Sequence, residues 1–154
     1  TGYRLDDNEK QLYTQRTVNG KSYELRFMDE SDGTQKLIAV LPVLLMALRE
    51  GRLVIIDELD AKLHPKLLRY VIAMFKNPKI YQNGAQLIFT THDAMLLDLN
   101  FFRRDQIWFA EKNDETCATE LYSLASFSPR KGENVRKGYL QGRFGAIPFI
   151  GGNA

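Results

Sequence analysis

LVIIDELD, Leu53 to Asp60, decides how this chain is read. Four apolar residues run straight into Asp57 and Glu58, with Gly51 and Arg52 before them and charge after. An apolar run so short and so bounded predicts a strand buried on both faces. Two carboxylates at its end suit phosphoryl-transfer chemistry, in which one helps hold Mg²⁺ and a second orients or activates the attacking water. The same acids can equally open the loop after a buried strand, so the pattern alone leaves both readings standing. A second predicted strand, Gln86 to Thr91 (QLIFTT), delivers His92 and Asp93 at its own end. In an open parallel sheet neighbouring strand ends face one crevice, which makes Asp57, Glu58 and His92 candidates for a shared site.

With 154 residues, 44% of them hydrophobic, the chain can bury one substantial core, and one domain is the default. A formal net charge of +2 neither demands nor excludes a nucleic-acid partner. Arg130, Lys131, Arg136, Lys137 and Arg143 cluster late around a single Glu133, as a phosphate-contacting patch or a solvated face. The one cysteine, Cys117, cannot form an internal disulfide, suits a reducing cytosol and is expected to be buried. The longest apolar run, Leu37 to Leu48, contains Pro42 and is too short to span a bilayer; no signal-peptide pattern opens the chain. A cytoplasmic protein without a membrane segment is expected. The first residue is Thr1, not Met, which suits a fragment or a processed product.

Along the chain, Gln11 to Val18 and the alternating Ser22 to Phe27 flank Asn19-Gly20, which predicts a β-hairpin. Glu30 to Thr34 is rich in capping residues and opens an apolar helix, Gln35 to Arg49, that Pro42 should kink. After the Leu53 to Ile56 strand, Pro65 can begin a helix running to about Lys76. Asn77-Pro78 and Asn83-Gly84 punctuate the link to the next strand. A short helix from Asp93 to Asp98, strands at Gln106 to Ala110 and Ala118 to Tyr122 around a charged turn Glu111 to Glu115, and a helix within Ser128 to Tyr139 complete the order.

Gly20-Lys21-Ser22 has the look of the end of a phosphate-binding P-loop. Where that loop has its first glycine Gln15 stands, and Tyr23 to Phe27 alternates as a strand where a helix should begin. The segment is therefore read as a hairpin turn. Carboxylates for Mg²⁺ then lack a triphosphate cradle in this chain.

Taken in order, Ser31-Asp32-Gly33-Thr34-Gln35-Lys36, LVIIDELD, Leu63-His64-Pro65 and Thr90-Thr91-His92-Asp93 resemble the second half of an ABC-type ATPase head. More narrowly, they resemble the bacterial ABC-like AAA-family ATPases of phage defence, the RloA and PtuA type, related to the OLD and SMC-like ATPases. The closing Gly138-Tyr139-Leu140-Gln141-Gly142-Arg143-Phe144-Gly145-Ala146-Ile147-Pro148 is similar to the C-terminus of that group, and the resemblance covers roughly residues 24 to 150. It implies an α/β fold: the C-terminal lobe of a P-loop NTPase head, with a mainly parallel sheet flanked by helices and an N-terminal β-hairpin.

By that resemblance Asp57 is the Walker B aspartate for Mg²⁺, Glu58 the catalytic glutamate, and Asp60 part of the D-loop at a dimer interface. His92 is similar to the switch histidine that reaches the γ-phosphate. Ser31 and Gly33 resemble signature residues contacting the γ-phosphate of ATP held by the opposite protomer. Independently of the family, a capped helix N-terminus favours an anion, and a glycine lets backbone come close. An ordinary capped helix and an ordinary surface or core histidine are the plainer alternatives. Asp32 departs from the ABC signature, which has glycine there, and is expected to point away from phosphate. His64 reads as local packing before Pro65.

The resemblance implies a dimeric ATP hydrolase using ATP and Mg²⁺, whose P-loop lies on a missing N-terminal lobe and whose partners are a second protomer and either DNA or an effector nuclease. The alternatives are a non-catalytic regulatory module that keeps the fold, and a metal-dependent nuclease using Asp57, Glu58 and His92. The nuclease would require more acidic ligands than the sequence places there.

Overall fold

Asn19 and Gly20 both take left-handed conformations, with φ of 50° and 74°, the pair of angles that matches the twist of antiparallel strands. They join β2 (Gln11–Val18) to β3 (Lys21–Arg26), with Val18 opposite Lys21. A further strand, β1 (Gly2–Asp6), pairs antiparallel with the other edge of β2, so the sheet has three strands where a hairpin was expected. The computed structural model describes residues 2–6, 11–77, 79, 83–113, 115–130 and 132–147. Pro78, Lys131 and Pro148 lie outside the described residues. The chain divides into two compact units, Thr1–Thr91 and His92–Ala154.

In the first unit, a buried acid just past the three-stranded sheet ties back to it. Glu30 Oε1 accepts from the Thr14 hydroxyl at 2.5 Å, and Arg16 Nη2 donates to both Glu30 oxygens at 2.8 and 2.7 Å. A buried carboxylate costs free energy unless so partnered. The next residue, Ser31, caps α1 (Asp32–Glu50), which starts three residues before the predicted Gln35 and continues through Pro42. Gly51 ends it at φ 70°, and a Cβ there would stand against the Asn83 carbonyl oxygen, so only glycine fits.

β4 (Leu53–Ile56) and β5 (Gln86–Phe89) pair in parallel, Leu53 opposite Gln86 and Ile56 opposite Phe89. α2 (Pro65–Met74) is capped by His64, whose Nδ1 accepts from the Lys66 N–H at 3.2 Å; His64 is exposed, so its part is local but is capping and not the packing expected. Leu44 and Ala47 of α1, Val54 of β4 and Val71 of α2 form one buried cluster with Leu87 against it. Both helices thus cover the same face of the pair. Since strand side chains alternate, Leu53, Ile55 and Ile88 fall on the opposite face and are 52%, 70% and 55% exposed. Burial on both faces, inferred from the unbroken apolar run, does not hold for β4. Parallel pairing is likewise confined to β4–β5 among the described residues; the other two sheets are antiparallel.

In the second unit, Asp93 accepts from the Met95 N–H at 2.8 Å and caps a single 3₁₀ turn, Ala94–Leu96, in place of the longer predicted helix. β6 (Trp108–Lys112) and β7 (Thr119–Ser123) pair antiparallel, both displaced toward the C-terminus from their predicted ranges. Cys117 sits in the turn between them, exposed and at φ 55°, which corrects its expected burial. The predicted Ser128 to Tyr139 helix is reduced to α3 (Val135–Leu140), because Ser128 is left-handed at φ 46° and Asn134 supplies the cap. Ile107, Phe109, Leu124, Val135 and Phe144 form the core. A Cβ on Gly138 would lie 2.9 Å from the Phe144 ring, so the glycine of the closing motif makes room for its phenylalanine. Arg143 of the late basic cluster is ion-paired with Glu133.

Candidate functional site

The chain leaves β4 directly into Asp57, and β5 ends one residue before Thr90. The Thr90 N–H donates to the Ile56 carbonyl at 3.1 Å, and the Leu59 N–H donates to the Thr90 carbonyl at 3.1 Å. Between these two backbone bonds the Thr90 hydroxyl lies 2.5 Å from Asp57 Oδ1 and accepts the Glu58 N–H at 2.8 Å. Glu58 itself is left-handed, at φ 48°. Asp57, Glu58 and Thr90 are exposed, while Leu59 is wholly buried and anchors the loop after β4.

That loop carries Asp60. The Ala61 N–H donates to the Glu58 carbonyl at 3.1 Å and the Leu63 N–H to the Asp60 carbonyl at 3.0 Å, closing two consecutive tight turns. The first turn of α1 lies against it. Asp32 pairs with Lys62 at 3.0 Å, and a Cβ on Gly33 would stand 2.8 Å from the Lys62 carbonyl oxygen. Lys36 Nζ comes within 3.4 Å of the Glu58 carbonyl oxygen. Asp32 is therefore engaged by a cation of its own chain. The close approach that Gly33 permits is to the loop of its own chain. Ser31 Oγ accepts from the Thr34 N–H at 3.3 Å and lies 2.9 Å from the Thr34 hydroxyl, which is the capping geometry.

In the first unit Asp57, Glu58 and Asp60 follow one another out of β4, and the first turn of α1, carrying Gly33, meets the same loop at Lys62, while Ser31 is engaged in capping that helix. His92 is exposed and belongs to the second unit. The residues that sequence reasoning missed are Thr90 and Lys62. Neither had a signal of its own, since an exposed hydroxyl or ammonium group can be satisfied by water.

Residues 3–98 match the family described as "AAA domain, putative AbiEii toxin, Type IV TA system", and the chain belongs to this AAA-domain family. The chain is also 33% identical over 126 residues to the Septu protein PtuA of Bacillus mycoides (strain KBAB4), an alignment that covers 75% of this chain. The chain spans 16% of the length of that relative. The closing Gly138 to Ile147 segment lies beyond the residues matched to the family.

The donor set fits a phosphate-bound cation. Among the described residues no three His, Cys, Asp or Glu side chains group as a metal cage. Mg²⁺ characteristically takes one or two carboxylates and completes its shell with water and substrate phosphates. Asp57, exposed and hydrogen-bonded to Thr90 just past β5, is a carboxylate of the kind that could serve in such a shell. Among the described residues no helix is long and apolar enough to cross a membrane.

Proposed function

We propose that this chain is the C-terminal, acid-bearing part of an ATP-hydrolysing head in a bacterial phage-defence ATPase. The observation that carries the reading is the end of the parallel β4–β5 pair, where Asp57 and Glu58 emerge side by side and are hydrogen-bonded to Thr90. Asp57 would hold Mg²⁺, which when bound neutralises charge on the phosphates. Glu58 orients and activates the attacking water, the role of a general base. Ser31 and Gly33, at the N-terminus of α1, serve as the signature presented to ATP on a second copy, and Asp60 lies in the loop at that interface. His92 takes the switch role by resemblance. A lobe carrying the P-loop completes the head, which acts on DNA or gates an effector nuclease. Family membership and the PtuA relative support this assignment.

The test is Glu58→Gln in the full-length protein. ATP binding by calorimetry stays at the wild-type level, and turnover falls by about 10²–10⁴-fold, the usual contribution of a general base. Hydrolysis at the wild-type rate removes Glu58 from that role. Retained ATP binding without any turnover in the wild-type protein favours the regulatory-module reading.

A further inference from the structure

We propose that Thr90 is a positioning residue for the strand-end acids, its hydroxyl setting both the Asp57 carboxylate and the Glu58 backbone. The inference rests on the ATP-hydrolase reading of this site. A hydroxyl has one proton to donate and lone pairs to accept. The Glu58 N–H can only donate, so Thr90 Oγ1 accepts there at 2.8 Å. Its own proton is then directed to Asp57 Oδ1, 2.5 Å away, because an ionised carboxylate can only accept.

Thr90 is itself fixed at both backbone groups, through the Ile56 carbonyl and the Leu59 N–H, each at 3.1 Å. Four hydrogen bonds thus run from one residue to the four consecutive residues Ile56 to Leu59. The consequence for Asp57 is a carboxylate with one oxygen tied to Thr90, just past β5, which restricts its rotation. For Glu58 it is a restraint on a left-handed backbone, a conformation that a non-glycine residue keeps only when its surroundings hold it. Groups that orient a metal-binding carboxylate change metal affinity or activity by about 10–100-fold when removed.

Valine has nearly the shape of threonine without the hydroxyl, and serine keeps the hydroxyl without the methyl. In metal-free, nucleotide-free full-length protein, Thr90→Val makes the Glu58 amide exchange hydrogen about tenfold faster, as loss of one hydrogen bond predicts. Thr90→Ser keeps it protected. In the same variants the Mn²⁺ concentration that half-saturates ATP hydrolysis rises about tenfold for Thr90→Val and stays near wild type for Thr90→Ser. If Asp57→Asn abolishes hydrolysis while Thr90→Val keeps wild-type exchange and Mn²⁺ dependence, the Thr90 role is overturned and the ATPase reading stands. If serine fails to rescue, the hydroxyl is not the operative group and the proposal falls. A wild-type protein that neither binds nor hydrolyses ATP with Mn²⁺ or Mg²⁺ overturns the ATPase reading and the positioning role built on it.

Discussion

Replacing Gly33 with alanine tests the packing of α1 on the loop after β4. In an unencumbered helix this change stabilises by about 0.5–1 kcal/mol, because alanine loses less backbone freedom on folding. Here the new Cβ would stand 2.8 Å from the Lys62 carbonyl oxygen, closer than carbon and oxygen tolerate. That oxygen is backbone, in a residue at φ 64°, next to a turn closed by the Leu63 N–H at 3.0 Å and anchored by the buried Leu59. It cannot swing aside as a side chain would. Forced overpacking costs about 1–3 kcal/mol; against a gain of about 0.5–1 kcal/mol, and with a backbone atom that cannot yield, the central expectation is a net loss of about 1 kcal/mol, up to about 2.5 kcal/mol. Urea unfolding followed by circular dichroism should show a lower midpoint at unchanged slope, and the Leu63 amide should lose protection in hydrogen exchange. A Gly33→Ala protein as stable as wild type, or more so, refutes the close approach and returns Gly33 to a purely ligand-facing explanation.

Two more outcomes concern the second unit. Phe144 is 1% exposed and stacks on Phe109 at 5.9 Å, so Phe144→Ala should cost about 3–5 kcal/mol in thermal or urea unfolding; a loss below about 1 kcal/mol would show that its ring is not in the core. The Tyr122 phenol, partly buried and 2.8 Å from Glu111, is pushed up from 10.0 to about 12, mainly by desolvation and then by that carboxylate. Its contribution is fully present below the unfolded value, 10.0, and is lost as pH rises toward about 12, since the unfolded chain gives up the proton first. Ultraviolet titration of wild type against Tyr122→Phe should show the high-pH phase disappear, and a Tyr122 midpoint near 10.0 would refute the burial argument.

The parts of the fold legible in the sequence were those encoded within a few residues. Asn19-Gly20 specifies its turn by φ alone, Ser31 announces a helix start, and the run into Asp57 and Glu58 announces a strand end. What failed depended on neighbours distant in sequence. An apolar run cannot say which face is covered, and both α1 and α2 lie on the Val54 side. The predicted Ser128 to Tyr139 helix starts too early: Ser128 is left-handed, Gly132 is at φ 84°, and the helix waits for the Asn134 cap. Cys117 was assigned by average burial of its type, and the turn that holds it at φ 55° overrode the average. At the candidate site the position of the acids was legible, because an apolar run that stops at two carboxylates marks a strand end. The contact of Gly33 with Lys62 and the bridge from Thr90 were not, because periodicity carries no information about which loop meets which turn.

The left-handed backbone of Glu58 sets two kinds of selection against each other at one position. Keeping a branchless but non-glycine side chain in that region costs about 1–3 kcal/mol relative to a residue at ease there. Screening variants for heat resistance alone would therefore favour glycine or asparagine at Glu58 and discard the carboxylate. Thermostable variants of this chain chosen without a functional assay should be checked at this residue first, because under the proposed ATP-hydrolase reading the route to greater stability and the route to an inert site coincide there.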